Sequence, residues 1–354
     1  MPQALRLEYQ APTAARAPAG SEMRIATLNC QGLVHQSKQY EVGNFLIKEL
    51  GEGAIVCLQE TWCRRKNQIP VYDPCREDNL VVSFISSVAE AIPRNNCRIG
   101  GVGFAFVHKR GEDPMRPVPT SRGGNVKHIN SERNKRRVIT IWRPGQWTHR
   151  AAAIRIHQKA MAPLIVRSVY SPTAVFDVVG VNEQREEDVE YDKFVKGTEK
   201  LAPGSGSLAR VVTCGDFNCD IYREALQHAR ESTMQRKVSV IANMAQLSSG
   251  NASNIHPADP RTSTTTKEEE AKPFTFRLKS TLAPVDGVQQ NYQANRTYDY
   301  IVFGSRRKIT ESRVTDSSPS DHMMVVTTVA LQLYIARRSK AKSKAKPKPD
   351  EEKP

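Results

Sequence analysis

The sequence contains no long apolar run. No window approaches the roughly 18 consecutive apolar residues that indicate a membrane-spanning helix, and the apolar fraction is only 39%. Residues 1–22 are rich in alanine and proline and contain no apolar stretch of the kind found in a signal peptide. We therefore expect no membrane-spanning segment and no secretory signal.

Paired cysteines are also lacking. The seven cysteines are an odd number, and none of them forms a CxxC pair. Cys30, Cys57 and Cys214 lie inside apolar, strand-like segments, where a free cysteine packs as a small hydrophobic residue. This usage argues against a disulfide framework and indicates a reducing compartment.

Acidic residues are too few to balance the basic ones. The chain has 52 Lys and Arg against 37 Asp and Glu, a formal net charge of +15. Residues 335–354 hold eight basic and three acidic residues, so the rest of the chain still carries +10. Such a charge suits a polyanion, either nucleic acid or an anionic membrane surface. The tail is either a solubilising end or a patch for nuclear import or nucleic-acid binding, and we expect an intracellular, nuclear protein.

The apolar pattern predicts an α/β protein. Helices are expected at residues 37–50, 182–201 and 221–247, and the main strands at residues 24–30, 54–59, 81–86, 100–107, 138–142, 151–156, 164–170, 211–213, 298–303 and 323–333. We divide the chain into a disordered arm (1–22), one domain (23–333) and a disordered Lys-rich tail (334–354). Residues 110–137 predict a surface loop or hairpin, either solvated or in contact with phosphate. Residues 248–272 predict a poorly ordered segment.

The stretch VVTCGDFNCD, residues 211–220, combines a short strand with polar residues. The strand is expected to end at Gly215 and to present Asp216 and Asn218 beyond it. If strand geometry continued, these two side chains would point to the same side. A carboxylate beside an amide can take a proton from water and hold that water in place. The alternative is that Asp and Asn are there because both favour turns.

Other predicted strands end in polar residues of the same kind. The complete set is Asn29, Glu60, Tyr170, Asp216, Asn218, Asp299, Asp321 and His322. Converging carboxylates repel one another unless a cation lies among them. An oxygen-rich set without a Cys/His cluster favours Mg²⁺ or Mn²⁺ over Zn²⁺. A hard cation, a carboxylate–amide pair and a histidine together are typical of phosphodiester hydrolysis.

Six short stretches occur in the order ATLNCQGL, IVCLQETW, RSVYSPT, CGDFN, TYDYI and SPSDH. In this order they resemble the endonuclease/exonuclease/phosphatase superfamily. Within it, the chain is most similar to apurinic/apyrimidinic endonucleases and to the endonuclease domains of non-LTR retrotransposons. The resemblance covers residues 23–333 and implies a four-layer α/β sandwich, with two packed β-sheets flanked by helices.

The resemblance also implies a metal site. Glu60, with Asn29 nearby and Asp321 assisting, would hold Mg²⁺ or Mn²⁺. Gln31 stands where the apurinic-site enzymes often carry Asp, and this departure argues against apurinic-site activity more than against nuclease activity.

For catalysis, the resemblance implies that Asp216 positions or deprotonates the attacking water and that Asn218 orients this water. Asp299 would pair with His322, which would contact the scissile phosphate. Tyr170 would contact the phosphate or help the leaving group.

The expected function is therefore that of a Mg²⁺-dependent hydrolase, a DNA endonuclease that nicks double-stranded DNA. One alternative is a phosphoesterase that acts on RNA, a phosphorylated lipid or a small molecule. The other is a catalytically inactive nucleic-acid-binding protein. No reverse transcriptase follows in the sequence, so both a stand-alone enzyme and a part of a mobile element's reading frame stay open.

Overall fold

The structure, a computed structural model, describes fourteen segments of the chain. They are residues 22–64, 79–91, 98–111, 138–157, 163–172, 181–203, 210–219, 238–241, 243–244, 255–256, 275–281, 291–304, 309–315 and 317–330. The predictions for the arm, for the tail and for residues 112–137 and 220–237 lie outside these segments. Glu22, which we assigned to the arm, is the first residue of a strand.

The described elements are mainly strands, with two α-helices between them. In order they are β1 (Glu22–Asn29), α1 (Gln36–Leu50), β2 (Ile55–Gln59), β3 (Leu80–Ser86), β4 (Glu90–Ala91), β5 (Arg98–Ile99), β6 (Gly103–Lys109), β7 (Val138–Ile141), β8 (Ala151–His157), β9 (Leu164–Tyr170), α2 (Val181–Lys200), β10 (Arg210–Asp216), β11 (Ile255–His256), β12 (Phe276–Thr281), β13 (Asn291–Arg296), β14 (Asp299–Phe303), β15 (Ile309–Val314) and β16 (Val325–Ala330). Residues 144–146 add one 3₁₀ turn.

Two six-stranded sheets form the centre of the fold. Their strand orders are β15-β16-β1-β2-β6-β3 and β11-β14-β10-β9-β8-β7. Strands β1 and β2 are parallel in the first sheet, and β9 and β10 are parallel in the second. A parallel pair needs a crossover, and α1 and α2 lie in these two connections.

The two sheets pack face to face over a shared apolar core. Every second residue of a strand faces this core; Ile25 and Cys57 face it from the first sheet, and Val166, Val212 and Ile301 face it from the second. All five residues are buried. The inner faces of both sheets are therefore apolar along most of their length.

Each outer face is covered by a helix. The α1 residues Val42, Leu46 and Leu50 follow the predicted 3.6-residue spacing and pack over Leu28. On the other side, the α2 residues Tyr191 and Phe194 pack in one cluster with Ala151 and Ala153 of β8. The order helix, sheet, sheet, helix confirms the expected four-layer α/β sandwich. Among the described residues, no helix has the length and apolarity required to cross a membrane.

The prediction that Gly215 ends its strand is wrong, because β10 continues to Asp216. Gly215 pairs with Val169 of β9, and a Cβ at Gly215 would lie 1.9 Å from the carbonyl oxygen of Val169. The glycine is therefore required for the close approach of the two strands that carry the site residues.

We expect Gly215→Ala to lower the free energy of unfolding by about 1–3 kcal/mol or more, because the added methyl group forces the two strands apart. Urea unfolding followed by circular dichroism measures this effect. Gly145→Ala is the matched control, since nothing lies within 4 Å of a Cβ at that position. Equal unfolding midpoints for the two variants would show that the strand contact relaxes without cost.

Candidate active site

Three strands of the second sheet carry polar residues at one end of the space between the sheets. In β10, Val212 and Cys214 face the shared core, and Asp216 occupies the next position of the same parity. Tyr170 of β9 and Asp299 of β14 lie directly beside Asp216 in the strand register. All three side chains are buried. A single row across the second sheet thus places two carboxyl groups and a tyrosine together.

Asn29 at the end of β1 connects this row to the first sheet. Its Nδ2 donates hydrogen bonds to Glu60 Oε1 at 2.8 Å and to Asp216 Oδ2 at 3.1 Å. Because β1 and β2 are parallel, Asn29 pairs with Gln59, and Glu60 follows at the same edge. Glu60 has a φ of 52°, an unusual conformation for a residue other than glycine. One carboxylate from each sheet therefore accepts a hydrogen bond from the same amide group of Asn29.

His322 and Asp299 form a buried pair on the other side of Asp216. The distance between His322 Nδ1 and Asp299 Oδ2 is 2.8 Å. His322 Nε2 lies 3.9 Å from Asp216 Oδ2, which is too long for a hydrogen bond. Burial lowers the pKa of His322, but the charge and hydrogen bond of Asp299 outweigh burial, and the pKa is raised to about 10. The ring is therefore an imidazolium at neutral pH.

The pKa of Asp216 is raised toward neutrality. Burial and then repulsion by Asp299 raise it, while His322 and the N–H of Asn218 lower it, and the result is about 7. The Asn218 N–H donates to Asp216 Oδ1 at 2.8 Å. A carboxyl group with a pKa near neutrality can both accept and release a proton, as a general base must.

The side chain of Asn218 does not continue the strand. Its φ is 47°, which is a turn conformation, so strand geometry does not continue from Asp216 and the condition for a shared side is not met. The Nδ2 of Asn218 donates to the carbonyl oxygen of Ser171 at 2.8 Å. Asn218 therefore joins the Asp216 turn to the segment that follows Tyr170.

The donor set fits a divalent cation. The carboxylates of Glu60 and Asp216 meet at one amide, and Asp299 Oδ1 is a buried oxygen without a hydrogen-bond partner among the described residues. A buried carboxylate oxygen that lacks a donor is costly unless a cation approaches it. Asn29 would ligate such a cation only with its amide reversed, so that Oδ1 replaces Nδ2 beside the carboxylates.

Asp321 lies at the exposed rim of the site. Its Oδ1 is 3.9 Å from His322 Nε2 and accepts a hydrogen bond from Ser320 Oγ at 3.4 Å. The structure therefore brings all eight predicted residues to one end of the sandwich, with Asp321 as the most exposed of them.

Sequence reasoning missed two residues that contact the predicted set. The Arg150 guanidinium lies over the Tyr170 ring, 5.5 Å from the ring centre. Its Nε and Nη1 are buried and have no hydrogen-bond partner within the described segments. Thr275 Oγ1 accepts hydrogen bonds from the N–H groups of Tyr298 at 2.9 Å and of Asp299 at 3.0 Å. No local sequence signal marks either residue, because each role depends on a distant strand.

A buried polar network lies behind the site. Thr27 Oγ1 donates to Gln59 Oε1 at 3.1 Å, and Gln59 Nε2 donates to Ser168 Oγ at 3.1 Å. Ser168 Oγ in turn donates to the carbonyl oxygen of Leu58 at 2.9 Å. These bonds connect the two sheets one step below the catalytic end and fix how the sheets lie relative to each other.

Comparison with known proteins gives a family and a fold. The model of the Endonuclease/Exonuclease/phosphatase family matches residues 26–322. The AP endonuclease LMAP from Leishmania major is 13% identical, with 93% of this chain and 98% of that chain covered and a TM-score of 0.51. An endonuclease/exonuclease/phosphatase from Beutenbergia cavernae is 15% identical over 88% of this chain and 72% of that chain, with a TM-score of 0.42. No curated protein sequence matches the chain.

These findings differ in weight. The likeness to the Leishmania enzyme supports the fold alone, because the identity is low, and the second structure is too distant to carry an argument. The family match extends over most of the chain and includes every predicted site residue. The chain therefore belongs to the Endonuclease/Exonuclease/phosphatase family.

Proposed function

We propose that this protein is an endonuclease that nicks double-stranded DNA with Mg²⁺ or Mn²⁺ as its cofactor. Family membership already makes it a hydrolase of phosphoester bonds. The observation that carries the proposal is the position of the His322–Asp299 pair, which faces the buried Asp216 carboxyl group at 3.9 Å beside Glu60. A proton donor and a proton acceptor therefore lie next to each other at one site.

Asp216 is the base in this proposal. Its raised pKa, about 7, allows it to take a proton from the attacking water near neutral pH. The hydrogen bonds from Asn218 N–H and Asn29 Nδ2 hold its two oxygens in place. Asn218 orients the same water, as the resemblance implies.

His322 is the hydrogen-bond donor to the phosphate in this proposal. Asp299 Oδ2 accepts a hydrogen bond from His322 Nδ1–H and fixes the ring, so that Nε2–H points toward the space beside Asp216. An imidazolium in this position donates a hydrogen bond to a phosphate oxygen and stabilises negative charge that develops on it.

Glu60 would hold the cation, with Asp321 as a further candidate and Asn29 as one only when its amide is reversed. When bound, the cation would supply positive charge next to the phosphoryl oxygens, worth several kcal/mol in the transition state. Arg150 adds a fixed positive charge from the Tyr170 side, and we assign both residues to binding of the phosphate.

Two features favour a nucleic acid as the substrate. The chain without its Lys-rich end still carries a charge of +10. In addition, the side chain of Trp62 is 37% exposed two residues after Glu60, and its ring lies against Gly32, where a Cβ would be 2.6 Å from Cε3. A rigidly held, exposed indole beside the reacting centre is a surface on which a base can stack.

The test compares a polymeric with a small substrate. We expect the wild-type protein to nick supercoiled plasmid in the presence of Mg²⁺. Trp62→Ala should raise KM for DNA about tenfold, since base stacking is worth about 1–3 kcal/mol. The same variant should hydrolyse a small non-aromatic phosphodiester like wild type, because such an ester has no ring that could stack on the indole. Tyr40→Ala removes another exposed aromatic ring, on α1, and serves as the matched control.

Other outcomes would point to other substrates. Cleavage of RNA, or release of phosphate from a phosphoinositide, without nicking of DNA would contradict the DNA assignment while keeping a phosphoesterase. Retention of DNA without turnover, equal in wild type and Asp216→Ala, would instead support a non-catalytic binder.

A further inference from the structure

A second group of ligand-type side chains lies outside the candidate active site. It consists of Glu90 in β4, His149 just before β8 and Glu190 in α2. One ligand atom from each residue lies within 4.8 Å of the corresponding atoms of the other two. Three elements that are distant in sequence therefore bring one imidazole and two carboxylates together.

The backbone around this group is tightly constrained. Gly101 N–H donates to the carbonyl oxygen of His149 at 2.8 Å. Gly100 has a φ of 71°, and a Cβ there would lie 2.7 Å from the same oxygen. Gly100 directly follows β5, whose Ile99 pairs with Glu90. The β4–β5 hairpin therefore docks onto the His149 backbone and fixes the position of Glu90.

The contact between His149 and Glu90 is unusual. His149 Nε2 lies 2.9 Å from Glu90 Oε2, within range of an ion pair. This nitrogen is nevertheless buried without a hydrogen bond among the described residues, because the oxygen lies away from the direction in which an N–H would point. Two ligands of one cation stand in this relation: they lie side by side and do not point at each other.

Glu190 also contacts a lysine. Lys193 Nζ lies 2.6 Å from Glu190 Oε1, but its side chain is largely exposed and can turn into solvent.

We propose that Glu90, His149 and Glu190 bind one divalent transition-metal ion, with Zn²⁺ as the best fit. A set of one nitrogen and two carboxylate oxygens suits Zn²⁺, whereas Mg²⁺ and Ca²⁺ prefer oxygen ligands alone. The three side chains leave a fourth position for water, and Glu90 opens the site to solvent. This inference does not rest on the proposed function.

The site would adjoin the active site through Arg150. This residue follows His149 directly, and its guanidinium lies over the Tyr170 ring. A cation bound at His149 would add positive charge next to Arg150, because the two residues are neighbours in the chain. The second metal is thus expected to hold the Arg150 backbone in place without contacting the substrate.

Zn²⁺ binding to the full chain, without a polyhistidine tag and after removal of metal by a chelator, tests the proposal. Competition with a chromogenic chelator measures both the number of Zn²⁺ equivalents and their affinity. We expect His149→Gln, Glu90→Gln and Glu190→Gln each to weaken the same single equivalent by a factor on the order of 100 or more. The Glu90→Gln/His149→Gln double variant should weaken the same single Zn²⁺ equivalent and no other.

Two controls separate this site from others. His108→Gln changes a histidine on β6 that contacts Ser83 Oγ at 2.7 Å and should leave Zn²⁺ binding unchanged. Asp216→Asn should affect only a Zn²⁺ ion that binds at the candidate active site. Circular dichroism and the Tm confirm that the variants are folded, and Glu90→Gln carries the least risk because that side chain is 58% exposed. Wild-type Zn²⁺ stoichiometry and affinity in folded Glu90→Gln would overturn the proposal.

Discussion

Asp216→Asn is expected to lower kcat for plasmid nicking by about 10²–10⁴-fold, the usual contribution of a general base. Asparagine has nearly the same shape, and its Oδ1 can still accept the N–H of Asn218, which donates at 2.8 Å in the structure. The substitution removes the negative charge and the ability to take a proton from water. It also relieves the repulsion between the buried carboxyl groups of Asp216 and Asp299, which raises the pKa of Asp216.

This combination predicts a stable but inactive protein. Single-turnover nicking at saturating Mg²⁺ measures the loss. The Tm of the variant should stay close to that of wild type, because relief of the repulsion offsets loss of the hydrogen bond from Asn29 Nδ2. Asp192→Asn is the matched control, because it makes the same change on α2, which covers the outer face of the second sheet. Activity of Asp216→Asn within tenfold of wild type would remove Asp216 from the role of base.

Glu60→Gln is expected to raise the Mg²⁺ concentration for half-maximal activity by a factor on the order of 100. Loss of a residue that merely supports a metal ligand commonly costs 10–100-fold in affinity, and a direct ligand should cost at least as much. The glutamine keeps Oε1 as an acceptor for Asn29 Nδ2, which donates at 2.8 Å. Only the charge of the carboxylate is lost, so the substitution tests the metal site with little effect on packing.

Metal titration of the nicking reaction measures this shift. EDTA should abolish the activity of wild type, and excess Mg²⁺ should restore part of the activity of Glu60→Gln. Glu52→Gln is a suitable control, since Glu52 is an exposed residue that pairs with Lys109 at 3.3 Å. Identical Mg²⁺ titrations for wild type and Glu60→Gln would mean that Glu60 does not hold the cation.

Local sequence patterns predicted the buried elements well. The 3.6-residue spacing of Val42, Leu46 and Leu50 gave α1, which the structure confirms. The strands next to the shared core were predicted because both of their faces are apolar. The edge strand β15, ITESRV, was missed, because it has only one buried residue and reads as a polar segment. Strand β11 lies inside a stretch that we expected to be poorly ordered, and it forms only through its pairing with β14.

The residues of the candidate site likewise separate into those that local sequence patterns predicted and those that they missed. Asn29, Glu60, Asp216 and Asp299 were found because each ends, follows or begins an apolar strand. The role of Gly215 was wrong, since its true constraint is the carbonyl oxygen of Val169 on another strand. Arg150 and Thr275 were missed for the same reason, as their partners are Tyr170 and Asp299.

The sequence by itself determined which residues end the strands and which chemical groups they carry, because strand alternation and turn preferences act over a few neighbouring positions. It therefore defined the acidic, amide and imidazole set and the family. Only the tertiary structure decided that Asn29 bridges Glu60 and Asp216, that Asp299 orients His322, and that His149 meets two glutamates. These contacts depend on how two separate sheets and two helices pack, and such long-range distances are not encoded in any short stretch of the chain.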